Sequence, residues 1–192
     1  MKKYLSLLVL ILNILYPREC LIQHDPDERS ERPEKDTFSI SPSGHFYIHY
    51  DTTGNATPDL TDIDLNGIPD YIDEVSMIAD SAYHVLVNVL GYDEEPFDGE
   101  GGYDIYLTYY SSAFVYGYCH KDIPSLNSDR QTSWLEIDND YTPQSNKSNF
   151  ELTPFQIMRI SLGHEYFHAV QYGYKGNFGN NAYYYEMTSM WF

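Results

Sequence analysis

Apolar residues along this chain change their spacing several times, and each change marks a predicted element. In PDYIDEVSMIADSAYHVLVNVLGY, residues 69–92, the positions Ile72, Val75, Ile78, Ala79, Ala82, Leu86 and Val89 recur at three- and four-residue steps. That spacing predicts one helical stripe, with Gly91 closing it. A second helix is predicted from Pro154 to about Tyr172, ending at Gly173. Thr153 and Gln156 make a capping box around a proline at the first helical position, and Ile157, Ile160, Phe167 and Val170 offer apolar faces to bury. The segment AYYYEMTSMWF, 182–192, is a third helical candidate. Alternation of period two predicts strands in HFYIHY (45–50), YDIYLTYY (103–110), AFVYGY (113–118) and SWLEID (133–138). Residues 51–70, PFDGEGG (96–102) and NDYTPQSNKSN (139–149) are predicted as loops. No internal repeat is visible, and this order of elements predicts an α+β domain.

The N-terminal end follows a different logic. Lys2 and Lys3 precede an apolar run from Tyr4 to Tyr16, broken only by Ser6 and Asn13. The run is too short to span a bilayer comfortably and has the layout of a secretory signal, so export is expected. No small-residue cleavage site follows in YPREC, which leaves an uncleaved anchor as the alternative. Cys20 stands where lipidated proteins carry an acylated cysteine, but without the small residues such a site prefers. Residues 21–44 are charged, proline-bearing and nearly free of large apolar side chains, the composition of a flexible leader. The reading is therefore a signal peptide at 1–20, a leader at 21–44 and a domain at 45–192.

Composition narrows the partners. The net charge is −18, with 20 tyrosines and two cysteines. So acidic a surface repels nucleic acid and anionic lipid, which removes nucleic-acid binding from consideration and leaves membrane contact only to an uncleaved signal or a lipidated Cys20. Cys20 and Cys119 are too few for a disulfide scaffold, and a bridge between them is one open pairing. Asn55-Ala56-Thr57 and Asn146-Lys147-Ser148 match glycosylation acceptors. The tyrosines are compatible with a glycan-binding surface, although core and interface packing accounts for them equally well.

The stretch ISLGHEYFHAVQYGY, 160–174, carries the sharpest chemistry. Positions four apart on a helix share a face, so His164 and His168 can offer ring nitrogens to one ion. Glu165 lies about 100° round the helix, where it reaches a water on that ion without ligating it. Zinc in such a site acidifies the water and polarises a carbonyl, and the glutamate serves as general base. A catalytic zinc site needs a third protein ligand, and no histidine follows His168. Glu186 is the one acidic residue after Glu165, on a helix that a short loop can fold back. It is either that ligand or a solvated surface glutamate.

A second metal is expected in DIDLNGIPDYID, residues 62–73. Asp62, Asp64 and Asn66 occupy positions 1, 3 and 5 of a twelve-residue calcium loop, Gly67 position 6, the carbonyl of Ile68 position 7, Asp70 position 9 and Asp73 position 12. Hard oxygen donors and a glycine for the sharp turn suit Ca²⁺, in a structural role. The alternative is an acidic turn that favours a helix N-terminus.

With HEYFH on a capped helix, followed by Glu186, Thr188, Ser189 and Trp191, the chain resembles the gluzincin metallopeptidases. More narrowly it resembles a group of exported, largely uncharacterised bacterial metalloproteases, with which HFYIHY, LNGIPDYIDEV and SWLEIDNDY also agree. The resemblance covers most of residues 45–192. Its motifs are specific for metal binding and say little of substrate. Met187 departs from the glycine that usually follows the third ligand. The resemblance implies a zincin-like fold, a small mixed sheet packed on a long active-site helix with a second helix carrying the third ligand. It implies zinc on His164, His168 and Glu186, Glu165 as base, a peptide or protein substrate, and SWLEID as the sheet edge on which that peptide lies. Such enzymes generally continue beyond the second helix, so a C-terminal subdomain is expected to be missing. The competing expectation is a non-catalytic, calcium-stabilised extracellular module, or a truncated relic.

Overall fold

The strand Thr37–Ile40 (β1) pairs antiparallel with Phe46–Tyr50 (β2). β2 runs parallel to Tyr103–Thr108 (β3), which runs parallel to Ser133–Asp138 (β5). Gly117–Lys121 (β4) closes the other side, antiparallel to β5, so the order across the sheet is β1-β2-β3-β5-β4. The computed structural model describes residues 31–99, 101–112, 114–122, 130–147, 151–175 and 182–189. The signal segment, Cys20, Ser148 and Trp191 lie outside the described residues.

Parallel neighbours need a crossover, and the helix Asp70–Tyr83 (α1) provides the one between β2 and β3. Its stripe of Ile72, Val75, Ile78, Ala79 and Ala82 is buried as the spacing predicts. The last part departs from it. Residues His84–Val89 wind as a π-helical segment. The wider turn keeps Leu86 in the core and carries Val89 out to 63% exposure. Gly91 follows at φ +77°, a left-handed stop that glycine adopts without strain.

The helix Pro154–Tyr174 (α3) crosses the same face of the sheet and is buried on nearly all sides from Ser161 to Gly173. The capping box forms as expected: Gln156 N–H donates to Thr153 Oγ1 at 3.3 Å and Thr153 N–H to Gln156 Oε1 at 2.9 Å. Two expectations for this helix are corrected. Ile160, assigned to the core, is 62% exposed. Gly173 does not end the helix. A methyl group there would lie 3.3 Å from Pro96 Cδ and 3.4 Å from the Glu94 carbonyl oxygen, so the glycine serves close packing. The core fills the space between α1, α3 and the inward residues Phe46, Ile48, Ile105, Leu107, Leu135 and Ile137.

Three other elements differ from the sequence reading. Residues 31–44 of the expected leader belong to the fold: Arg32 pairs with Asp98, Asp104 and Asp122, Lys35 with Asp51, and β1 extends the sheet. The strand expected at 113–118 instead covers 117–121. Carbonyls of Val115 and Tyr116 accept from the Gln144 amide and the Tyr141 hydroxyl at 2.7 and 2.8 Å, so side chains rather than a neighbouring strand satisfy that backbone. Within the expected loop 139–149, residues Thr142–Lys147 form a short helix (α2), helped by Pro143 in its first turn and by Asp140, which accepts from Thr142 N–H at 2.8 Å. The final described helix is Ala182–Ser189 (α4).

Tyrosine is used for packing. Tyr103, Tyr141, Tyr166 and Tyr172 are buried. On the face away from the helices, His49, Tyr106, Trp134 and His120 form a row across β2, β3, β5 and β4, with successive ring centroids 4.5, 5.1 and 4.2 Å apart.

Candidate metal centre

α3 carries His164, Glu165 and His168 near the middle of its buried length, and α4 brings Glu186 back against them. The Nε2 atoms of His164 and His168 are 3.1 Å apart, with the rings nearly perpendicular. Glu186 Oε2 lies 3.5 Å from His164 Nε2, and Oε1 lies 3.7 Å from His168 Nε2. All three residues thus offer ligand atoms within 4.8 Å of one another. Donors each about 2 Å from a tetrahedral zinc stand roughly 3.3 Å apart, so the constellation has the right span. Among the described residues Glu186 Oε1 is also buried without a hydrogen-bond partner, an orphan acceptor of the kind a cation satisfies.

Electrostatics divides the two imidazoles. Burial pulls the pKa of His168 down, which keeps its ring neutral. Burial acts the same way on His164, but the hydrogen bond to Glu186 and the charges of Glu165 and Glu186 outweigh it and raise the pKa.

Glu165 is 2% exposed and lies under the start of the edge strand. A methyl group on Gly117 would stand 3.0 Å from Glu165 Cγ and 3.0 Å from the Glu136 carbonyl oxygen. Gly117 therefore lets β4 pass close over the glutamate. SWLEID, expected at the sheet edge, is interior: β5 has β3 on one side and β4 on the other. Among the described residues the edge strand beside Glu165 is β4, because the hairpin-like return of residues 117–121 adds a strand outside β5.

Among the acidic loop residues, Asp62, Asp64 and Asp70 bring carboxylate oxygens within 4.8 Å of one another. Asp73 is not in that set; it accepts from the Asn66 amide at 2.8 Å. Asn66 Oδ1 in turn accepts from Ile68 N–H at 2.7 Å, and Asp62 accepts from the backbone of Asn66 and Gly67. Leu65 at φ +60° and Gly67 at φ +89° make the turn that folds the loop on itself.

Three contributors were given no role at the centre by the sequence, although Ser189 belongs to the motif around Glu186. Gly117 is one. Ser189 Oγ sits 3.5 Å from both Nε2 atoms while donating to the Glu186 carbonyl at 2.9 Å. Gln171, one turn beyond His168, reaches its Nδ1 at 2.8 Å; the spacing of three was the signal that could have revealed it. Cys119 is a free thiol among the described residues, and burial pushes its pKa up, away from reactivity. No protein-family model matches the chain, and neither a curated protein nor a solved structure is detectably similar to it.

Proposed function

We propose that the chain is an exported zinc-dependent peptidase of the gluzincin type, with a zincin-like arrangement of sheet and helices. One observation carries the reading: two imidazoles and a carboxylate from separate helices converge on one point, next to a buried glutamate that is not among them. His164, His168 and Glu186 would hold the zinc. A bound zinc ion would supply Lewis acidity toward a water and a substrate carbonyl.

The chain's own residues have definite tasks. The Glu165 carboxylate takes the proton from the attacking water and delivers it to the nitrogen of the departing amine, so that the amide C–N bond breaks with a neutral leaving group. Its burial under β4 keeps bulk solvent away from that transfer. The outer edge of β4, the last strand among the described residues, presents backbone N–H and C=O groups that an extended peptide can pair with, a role the resemblance had assigned to SWLEID. The carboxylates of Asp62, Asp64 and Asp70 would hold calcium at the start of α1, with the ion bracing the loop against the helix.

The experiment is a pair of substitutions with metal analysis beside a peptidase assay. Glu165→Gln is expected to keep zinc near one per chain and lose hydrolysis, and Glu186→Ala to lose zinc affinity. Hydrolysis by Glu165→Gln at the parent rate would refute the enzymatic reading, and purified parent without stoichiometric metal would refute the metal site.

A further inference from the structure

Zinc-binding histidines need their second nitrogen protonated and held, and the group doing so for His168 also touches the helix that supplies the third ligand. The Gln171 side chain is 7% exposed and makes three contacts. Oε1 lies 2.8 Å from His168 Nδ1. Nε2 lies 3.1 Å from the Tyr185 carbonyl oxygen and 2.8 Å from Thr188 Oγ1.

The orientation of the amide follows from hydrogen-bond arithmetic. A backbone carbonyl can only accept, so the Gln171 atom facing Tyr185 must be the NH₂ group. The oxygen is then the atom facing His168, and an amide oxygen can only accept, so His168 Nδ1 must carry the proton. A neutral imidazole protonated at Nδ1 has its lone pair at Nε2. That atom is the one pointing at His164 and Glu186. The Thr188 hydroxyl agrees with this assignment, since it donates to the Tyr185 carbonyl at 3.0 Å and accepts from Gln171.

We propose that Gln171 is a positioning residue of the centre: its amide holds His168 in the Nδ1–H tautomer and, through the same group, ties the ligand helix α3 to α4 on either side of Glu186. Tyr185 and Thr188 bracket Glu186 in sequence, so the tie sets the height at which the carboxylate meets the histidines. Two ligands from two helices are thereby placed by one side chain. The inference rests on the proposed metal site for its consequence, although the tautomer it asserts belongs to the metal-free chain.

Two measurements separate the claims. Long-range ¹H–¹⁵N NMR of the metal-free protein reads the tautomer of His168, and competition against a chromophoric chelator reads zinc affinity. The parent is expected to show the Nδ1–H form. Gln171→Met, similar in volume but without hydrogen-bonding capacity, is expected to give a tautomer mixture and to weaken zinc binding about 10- to 100-fold. Gln171→Glu keeps an acceptor for Nδ1–H and is expected to restore the tautomer while losing the donation to Tyr185. Thr188→Val should leave the tautomer intact and weaken zinc less than Gln171→Met does. Should Gln171→Met fold poorly, the Glu and Val variants still read the two halves of the claim. An Nε2–H tautomer in the parent, or Gln171→Met with an unchanged tautomer and unchanged zinc affinity, overturns the inference. A parent that binds no zinc overturns the metal site instead, and leaves the tautomer measurement to judge Gln171.

Discussion

Gly117→Ala tests whether the edge strand presses on Glu165. The added methyl would sit 3.0 Å from Glu165 Cγ and from the Glu136 carbonyl oxygen. Comfortable carbon contacts begin at about 3.5 Å, so each neighbour is encroached on by roughly half an ångström. Neither can yield freely: one is backbone paired in the sheet, the other the stem of a buried side chain. Such overpacking costs about 1–3 kcal/mol. In a chain of this size each kcal/mol moves the melting temperature by roughly 2–4 °C, so a fall of about 2–12 °C is expected. If Glu165 is the base proposed above, pushing it out of line by a fraction of an ångström should lower kcat/KM by about tenfold or more, since a 1 Å misplacement costs about a hundredfold. Zinc content should stay at the parent value, because the methyl's nearest neighbours are Glu136 and Glu165 rather than the proposed ligands. Differential scanning fluorimetry, metal analysis and a peptidase assay read the three quantities. A double-mutant cycle with Glu165→Ala isolates the contact: with Cγ gone, part of the stability cost of Gly117→Ala should disappear. An unchanged melting temperature with unchanged kcat/KM, or a cost identical in both backgrounds, would refute the reasoning.

Two more predictions concern the rest of the domain. Calcium should raise the melting temperature of the metal-free parent in a concentration-dependent way, and Asp62→Ala should abolish that rise; a parent indifferent to calcium removes the second metal from the account. His45 Nε2 lies 2.6 Å from buried Glu95, and although burial lowers the pKa of His45, the bond and charge of Glu95 outweigh it and raise the pKa above 6.5. A group whose folded pKa is raised contributes stability that is full below the unfolded value and is lost as pH rises through the folded one. The parent should therefore exceed His45→Gln in thermal stability most below about pH 6.5 and by less and less as pH rises above it; a gap that widens with rising pH contradicts this sign.

The elements closest to the chemistry were the most legible. Thr153, Pro154 and Gln156 announce a helix within one turn, and His164 and His168 share its face because of the helical repeat alone. α1 was equally readable until residue 84, where the π-helical winding displaced Val89; a period of three to four says nothing of a local change in winding. Gly173 misled because a glycine that ends a helix and a glycine that admits a neighbour look alike in one dimension. The leader misled for a related reason. Its composition is nearly free of large apolar residues, but Arg32 gathers three aspartates that lie 66 to 90 positions away, and this charge match has no local signature.

Spacing along one helix was enough to nominate two candidate ligands and a candidate base, since 1.5 Å of rise and 100° of turn per residue place them without help from the rest of the chain. Everything that brings a second element to that helix depended on packing. Glu186 could have been a surface residue until α4 folded back to within 3.5 Å of His164. The open edge went to β4 rather than SWLEID because strand order is a property of the sheet and not of any strand. The direction of the Gln171 amide followed from a carbonyl fourteen residues away. Local geometry repeats and can be counted from the letters, whereas contacts between distant segments are chosen by the free energy of the whole fold.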